Sequence, residues 1–285
     1  MALVNSKYVV DDAQKRDYAV PAINTNGGNY DIVRAVCEAA EELRSPIILM
    51  AYTPNTEYSG IEYFSIIAKY FADRVSVPVA IHLDHSNSID PILRAIRYGF
   101  TSVMIDYSKR ELDENIAITC QVADIAHPLE ISVEAEVGEL LRNDGKEGYL
   151  ECKNLASVEN VKRFTSNVSV DMLAVGIGNA HGFYKGKPNI RTDLLRQIRN
   201  TTDVPLVLHG STGIPEEIVR ECIKIGIAKI NFGTLIRTNY VKYFDEAIDS
   251  FDHRGHPWRI QQHVKDLIKK DIKRIIKLSG SDKKF

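Results

Sequence analysis

The sequence contains few cysteines, no long apolar run and no large excess of one charge. Its four cysteines, Cys37, Cys120, Cys152 and Cys222, lie far apart without a C-x-x-C pair, which argues against a disulfide framework or a cysteine zinc site. No stretch approaches the roughly 18 apolar residues that a membrane-spanning helix needs, and the N-terminal segment lacks the apolar core of a secretory signal. We therefore expect a soluble protein of the cytoplasm.

Charged residues nearly balance, with 36 basic and 38 acidic side chains and a formal net charge of -2. The chain therefore lacks the electrostatic footprint of a nucleic-acid binder, and we expect small molecules as partners, not nucleic acid or membrane. Basic residues do gather in 251–285, where isoleucines and leucines recur at helical spacing. A membrane-bound helix is one interpretation, but a C-terminal helical extension with its charged face in solvent is simpler.

Short β-branched runs alternate along the chain with amphipathic stretches of helical length, which is typical of βαβ units and a parallel sheet. The eight predicted strands are 19–24, 46–52, 78–83, 102–105, 130–137, 171–176, 205–208 and 228–231. Eight such units indicate one α/β domain over 1–285, a (β/α)8 TIM barrel with extra C-terminal helices. An open doubly wound sheet is the alternative, but the segment 24–28, NTNGG, does not match its G-x-G-x-x-G turn.

Polar side chains follow the predicted strands at their carboxyl ends, where (β/α)8 enzymes assemble their active sites. These residues are Asn24, Asp84, His85, Asp106, Glu136, His181, His209 and Asn231. Because the carboxyl ends of all eight strands meet at one rim of a barrel, we expect these side chains to lie close together.

Three histidines of this rim, His85, His181 and His209, follow three different strands. Neutral imidazole is a zinc ligand, and three protein ligands with a fourth position left open are typical of catalytic zinc. A lone histidine at a strand end is more often structural. We interpret His82 in that way because strand alternation puts it on one face with Asp84, whereas His85 is expected just past the strand, where the chain turns. The three histidines together predict a metal-dependent enzyme.

Two glycine-containing loops, 209–213 and 231–234, follow the seventh and eighth predicted strands. Barrels commonly bind phosphate at this place through backbone N–H groups and helix N-termini. A tight turn alone also explains each loop. The two loops together, with Lys185 on a neighbouring loop, predict a phosphorylated substrate.

A metal Lewis acid beside a phosphate site suits chemistry that stabilises an enolate next to a carbonyl, with Asp84 and a loop carboxylate moving protons. Hydrolytic zinc is the competing chemistry, but such barrels normally carry an H-x-H pair on the first strand, which is absent here. A Schiff-base aldolase needs a desolvated lysine inside the barrel. Lys229 is expected at the N-terminal end of the eighth strand, away from the active rim, and is a poor candidate.

At these residues the sequence resembles the class II, zinc-dependent ketose-bisphosphate aldolases, which include fructose- and tagatose-1,6-bisphosphate aldolases. The motifs that carry the resemblance are YAVPAIN, ELRSPIIL, AIHLDH, GFTSVMID, SVEAEVG, LAVGIGNAHGFYKGKP, VPLVLHGSTG and KINFGT. They run in order over nearly the whole chain. The TPNT segment, which begins at Thr53, and the Thr234 loop lean toward the tagatose-type branch.

The resemblance implies reversible aldol cleavage of a ketose 1,6-bisphosphate to dihydroxyacetone phosphate and an aldehyde phosphate. It implies catalytic Zn²⁺ on His85, His181 and His209, proton exchange by Asp84, and a monovalent cation, Na⁺ or K⁺, nearby. Asp106 and Glu136 match positions that hold the metal in an alternative site. The residues implied to bind substrate and its phosphates are Asn24, Thr53, Gly182, Lys185, Gly210, Ser211, Thr212, Asn231, Thr234 and Arg254. Arg254 matches an arginine for the distal phosphate that can come from a partner subunit, and a homodimer or homotetramer is expected.

The chain departs from the family pattern at several positions that border the expected pocket. The mobile loop usually reads G-x-x-G-G-x-E-D-G, but 138–148 reads GELLRNDGKEG, so its base is either Asp144 or Glu147 and its paired glycine hinge is missing. Tyr107, Ser86 and Ser211 stand where smaller residues are usual. A different acceptor aldehyde or a ketose monophosphate is therefore an alternative substrate, and a non-catalytic binding barrel is a further alternative.

Overall fold

The computed structural model describes residues 3–138, 141–142, 155–184, 186–250 and 256–285. Eight strands form a closed barrel in which each strand pairs in parallel with its neighbours in sequence, and the last pairs with the first. The strands are β1 Val20–Asn24, β2 Ile47–Tyr52, β3 Val79–Ser86, β4 Ser102–Ile105, β5 Ser132–Val137, β6 Met172–Val175, β7 Leu206–Leu208 and β8 Ile227–Phe232. The predicted (β/α)8 barrel is confirmed.

Helices surround the barrel, and they complete the βα units that the sequence predicts. They are α1 Ser6–Lys15, α2 Tyr30–Leu43, α3 Thr53–Ser59, α4 Ile61–Ala72, α5 Ile89–Arg97, α6 Leu112–Ala126, α7 Val158–Asn167, α8 Thr192–Arg199, α9 Glu216–Ile225, α10 Thr234–Ser250 and α11 Pro257–Leu278. Outside the barrel, Leu141–Arg142 and Ala180–His181 pair as a two-stranded parallel sheet.

Two apolar clusters explain why the strands are apolar on both faces. Outward-facing residues such as Leu49 and Leu83 pack against the surrounding helices. Inward-facing residues such as Met104 and Met172 fill the lower barrel together with Val9 of α1, which closes the N-terminal end. A parallel sheet buried on both sides carries this pattern, and it leaves the C-terminal rim for polar side chains.

The C-terminal helix α11 docks on the barrel through its apolar face. Ile268 and Ile272 are buried in the main core, and α11 packs mainly against α2. Lys265 pairs with Glu38 of α2 at 2.8 Å, so part of the basic face is used in docking. No helix within the described ranges is both long enough and apolar enough to cross a bilayer.

Strand β3 departs from the prediction at the position that matters most. It continues to Ser86, and its pairing with β4 shifts register between Leu83 and Ser86. His85 therefore lies within the strand, with a left-handed φ of 52°, and the expectation that it follows the strand end is wrong. A register shift of this kind is a β-bulge. Beyond the bulge, Asp106 N donates to the Ser86 carbonyl oxygen at 2.7 Å, so β3 and β4 pair again.

Candidate functional site

The C-terminal rim of the barrel contains two adjoining cavities. The first, of 280 Å³, is called the glycine-lined cavity here; it is lined by Asn24, Asn26, Met50, Tyr52, Asp84, His85, His181, Gly182, Gly210, Ser211, Thr212, Asn231, Gly233, Thr234 and Arg237. The second, the Tyr107 cavity of 460 Å³, is lined by Tyr52, Thr53, Pro54, Glu57, His85, Asn87, Asp106, Tyr107, Ser108, Lys109, Arg110, Glu136 and His181. The two cavities share Tyr52, His85 and His181, so the histidines stand at their junction.

The three predicted metal ligands meet at one point. The ring centroid of His85 lies 4.9 Å from that of His181 and 4.9 Å from that of His209. Each ring offers a nitrogen, and the three nitrogens lie within 4.8 Å of one another. His181 reaches this point from the short sheet outside the barrel, whereas His85 and His209 come from the ends of β3 and β7. The spacing suits coordination of one cation.

Two carboxylates determine which ring nitrogen of His85 and of His209 is available to a cation. His85 Nδ1 lies 2.8 Å from Asp106 Oδ2, and His209 Nε2 lies 2.8 Å from Glu134 Oε1. A carboxylate accepts the ring proton of its histidine and leaves the other nitrogen as a ligand. His85 Nε2 and His209 Nδ1 are those nitrogens, and they face each other at 3.1 Å.

The surroundings of His85 favour a positive charge. Burial opposes charge on His85, but the nearby carboxylates of Asp84, Asp106 and Glu136 outweigh it and raise the pKa of His85 to about 9. The same negative field attracts a metal ion. Glu136 Oε2 is buried without a hydrogen-bond partner among the described residues. Burial raises the pKa of Glu136 well above its ordinary value, so its carboxylate form needs a nearby cation to stabilise it.

The residues present therefore fit a divalent cation. Glu136, His85 and Asp106 form a second group whose ligand atoms also lie within 4.8 Å of one another. His85 belongs to both groups. Imidazole and carboxylate ligands of this kind suit zinc and its neighbours among the first-row metals. The ligand roles of the five residues remain predictions.

Asp84 is buried at the floor of the glycine-lined cavity beside the histidines. Its Oδ1 accepts a hydrogen bond from Asn231 Nδ2 at 3.3 Å. Burial alone would raise the pKa of Asp84, but positive charge on His85, His209 and Lys229 lowers it below its ordinary value. An ionised carboxylate next to a cation position is suited to receiving and returning a proton.

The two predicted phosphate loops lie side by side and are tied together by their own side chains. Ser211 Oγ donates to the Asn231 carbonyl at 2.5 Å, and Thr212 Oγ1 accepts from Leu235 N at 3.2 Å. Gly210 has a φ of 61°, and a Cβ there would lie 2.2 Å from the Ala180 carbonyl oxygen. The turn therefore requires glycine. The Ser211 hydroxyl binds the neighbouring loop instead of pointing freely into the cavity.

The other predicted binding residues divide between the two cavities. Asn24, Gly182, Gly210, Thr212, Asn231 and Thr234 line the glycine-lined cavity, whereas Thr53 lines only the Tyr107 cavity. The Thr53 hydroxyl donates to the Asp84 carbonyl oxygen at 3.1 Å, and it thus supports the strand that carries Asp84. Asp144, Glu147, Lys185 and Arg254 lie outside the described residues, and their roles stay predictions.

Arg237 is a residue of the site that the sequence reading missed. It lines the glycine-lined cavity from the first turns of α10, three residues after Thr234. Within the described ranges its guanidinium has no hydrogen bond or ion pair to another side chain. The available signal was an arginine one helical turn beyond the predicted phosphate loop.

The expectation that Lys229 lies away from the active rim is wrong for its side chain, which reaches residues of the rim. The register of β8 shifts between Ile227 and Lys229, so Lys229 points into the barrel together with Asn231. Its Nζ lies 2.8 Å from Glu134 Oε2 and 2.8 Å from Asn231 Oδ1. Glu134, which was also missed, contacts His209 from the same place. The amine of Lys229 is held between Glu134 and Asn231, which does not suit the free amine that a Schiff base needs.

Comparison with known proteins agrees with this arrangement. The family model described as class II fructose-bisphosphate aldolase matches residues 4–284. The YdjI aldolase from Escherichia coli K12 is 31% identical, with a TM-score of 0.87 over 99% of each chain.

Two further solved structures are similar over nearly the whole chain. A putative fructose-1,6-bisphosphate aldolase from Coccidioides immitis is 27% identical, with a TM-score of 0.87 over 98% of this chain and 97% of that one. Fructose-bisphosphate aldolase from Campylobacter jejuni, at 19% identity and a TM-score of 0.81 over 100% of this chain and 97% of that one, shows the shared fold alone. The chain belongs to the class II fructose-bisphosphate aldolase family and is an aldolase, a carbon–carbon lyase.

Proposed function

We propose that this aldolase is zinc-dependent and cleaves a ketose 1,6-bisphosphate, of fructose or tagatose type, to dihydroxyacetone phosphate and an aldehyde phosphate. The observation that carries the proposal is the meeting of three imidazoles with Asp84 at the edge of a glycine-lined cavity. When bound by these imidazoles, a divalent ion would act as a Lewis acid toward the ketose carbonyl.

The protein's own residues hold the substrate and move its protons. Backbone N–H groups of the Gly210 and Gly233 loops, with the N-terminus of α10, suit the phosphate of the dihydroxyacetone half. Asp84 lies beside the histidines, where it takes the proton of the C4 hydroxyl as the C3–C4 bond breaks and returns it in synthesis. Asn231 donates to Asp84 and holds its carboxylate in that place.

The aldehyde half would occupy the Tyr107 cavity on the other side of the histidines. Lys109 and Arg110 bring positive charge to its wall, which suits an anionic acceptor and favours the bisphosphate. Tyr52 and Tyr107 also line it, and aromatic rings suit an uncharged part of the aldehyde. The rings thus make an acceptor that lacks the second phosphate the second candidate.

Cleavage of fructose and tagatose 1,6-bisphosphates, measured side by side with a chelator, tests the proposal. Chelation is expected to abolish cleavage and Zn²⁺ to restore it, with one of the two epimers preferred. Activity that survives the chelator but is lost on borohydride treatment would contradict the metal-dependent route. Cleavage of a ketose 1-phosphate in preference to both bisphosphates would support the second candidate.

Arg237→Gln tests where the donor phosphate binds. We expect the KM for a phosphorylated ketose to rise roughly tenfold, because a charge-assisted hydrogen bond to phosphate contributes about 1.5–3 kcal/mol. The kcat should change by less than about threefold, since the phosphate takes no part in the bond that breaks, and inhibition by inorganic phosphate should weaken in parallel. Arg220→Gln is the matched control, because Arg220 is exposed on α9 and pairs with Glu216 outside both cavities. An unchanged KM in Arg237→Gln would place the phosphate elsewhere.

A further inference from the structure

Two fully buried charges lie inside the barrel beneath the histidines. Glu134 of β5 and Lys229 of β8 are both 0% exposed and form an ion pair at 2.8 Å. His82 Nε2 lies 3.6 Å from Glu134 Oε2, and apolar side chains such as Met104 and Val207 fill the rest of the barrel interior. Desolvation of two charges costs several kcal/mol for each ion, and a buried pair often stabilises a protein less than apolar side chains of the same volume. The pair therefore calls for an explanation other than stability.

One branch of contacts leads from Lys229 to the candidate metal ligands. Lys229 Nζ donates to Glu134 Oε2 at 2.8 Å, and the other oxygen of Glu134 accepts from His209 Nε2 at 2.8 Å. Lys229 has only N–H donors, so Glu134 faces it as an acceptor, and the other oxygen of the same carboxylate accepts from the imidazole. His209 therefore carries its proton on Nε2 and presents Nδ1 to the cation position.

The other branch leads from Lys229 to the candidate proton carrier. Lys229 Nζ donates to Asn231 Oδ1 at 2.8 Å. Because an ammonium group has no acceptor, this contact forces the amide oxygen of Asn231 toward Lys229 and the NH2 group the other way. That NH2 group lies 3.3 Å from Asp84 Oδ1. The orientation of the amide, and with it the contact to Asp84, thus depends on Lys229.

We propose that Lys229 is a positioning residue that fixes both halves of the catalytic machinery at once, His209 through Glu134 and Asp84 through Asn231. The inference rests on the proposed metal-dependent cleavage. This role explains why the Glu134–Lys229 ion pair lies inside the barrel. If it is correct, substitutions at Glu134 and Lys229 should change metal binding and proton transfer separately.

The test uses the full-length enzyme with Lys229→Met, Glu134→Gln and the double variant. Zn²⁺ affinity is measured by chelator competition, together with kcat and KM for cleavage. Lys265→Met is the matched control, because Lys265 is also buried, at 3% exposure, and pairs with Glu38 at 2.8 Å outside the barrel. The control is expected to lose stability and to keep the metal affinity, kcat and KM of the parent.

Glu134→Gln should weaken Zn²⁺ binding about 10- to 100-fold. His209 and Lys229 donate to two different oxygens of Glu134, whereas an amide places an oxygen at one of these positions and an NH2 group at the other. Lys229→Met should lower kcat about 100-fold with a KM within about threefold of the parent, because Asn231 loses its orientation. It should weaken Zn²⁺ binding about tenfold, since Glu134 loses its anchor.

The double variant gives the decisive result. Without Lys229, the amide of Gln at position 134 can turn its oxygen toward His209 and its NH2 group the other way, so Zn²⁺ affinity should recover to within about threefold of the parent. The kcat should stay low. The double variant also has no unpaired buried charge, so it carries the test if Lys229→Met does not fold.

Two outcomes overturn the proposal: a double variant whose loss of affinity is the product of the two single losses, or one with the kcat of the parent. ¹⁵N NMR of histidine-labelled, metal-free protein provides a reading that needs no catalysis. The parent should show His209 protonated on Nε2, and Glu134→Gln should show a mixture of tautomers. If the parent neither binds Zn²⁺ nor cleaves a ketose phosphate, the proposed function fails, and the NMR result still tests the Glu134 branch. The parent tautomer in Glu134→Gln would overturn that branch.

Discussion

Replacing His85 with alanine is expected to cause the largest loss of metal binding of any single substitution in this protein. His85 belongs to both groups of candidate ligands, with His181 and His209 on one side and with Asp106 and Glu136 on the other. Its loss leaves two ligands in each group. Lewis-acid stabilisation contributes several kcal/mol, so activity should fall by about 1,000-fold or more. The measurement is zinc content after dialysis, with the rate of cleavage.

His181→Ala tests whether the second group of candidate ligands binds metal by itself. His181 belongs only to the histidine group, so its loss leaves His85, Asp106 and Glu136 able to hold an ion. We expect His181→Ala to retain a measurable fraction of bound zinc with little activity, and His85→Ala to retain none. His127→Ala is the control, because His127 pairs with Asp171 far from both cavities. Equal zinc retention in the two site variants would mean that the carboxylate group does not bind metal.

The backbone at His85 shows what a sequence pattern misses. β-Branched runs marked all eight strands, so the barrel and the rim of polar residues were predictable. The bulge that gives His85 a φ of 52° depends on pairing with β4 that resumes at Ser86. Such a contact between distant residues leaves no local signal. An alternating pattern therefore ended the strand too early.

Glu134 and Lys229 show the same limit more clearly. They are 95 positions apart in the sequence, and no local spacing indicates an ion pair. The contact exists because β5 and β8 face each other across a closed barrel. Glycine loops and histidines were found because their chemistry is local. The polar residues beneath them were missed because their function depends on which strands a closed barrel brings together.

Asp84→Asn is the second prediction with a large effect, and it separates proton transfer from metal binding. Asparagine has the same shape, and its Oδ1 still accepts from Asn231, so the geometry around position 84 should persist. An amide does not take up a proton at neutral pH. The kcat for cleavage should therefore fall about 100- to 10,000-fold, while zinc content stays that of the parent.

Exchange of the C3 proton of dihydroxyacetone phosphate in heavy water supplies the discriminating measurement for Asp84→Asn. If Asp84 serves only the hydroxyl proton at C4, exchange should continue at a rate within about tenfold of the parent, because no C–C bond breaks in that half-reaction. Asp271→Asn is the control, since Asp271 also accepts from an asparagine, Asn239, at 2.8 Å but lies outside the site. Parallel loss of exchange and cleavage would instead assign both protons to Asp84. In that case no carboxylate from the segment 138–148 would be needed for proton transfer. The departure of this segment from the family pattern would then not lower the rate of cleavage.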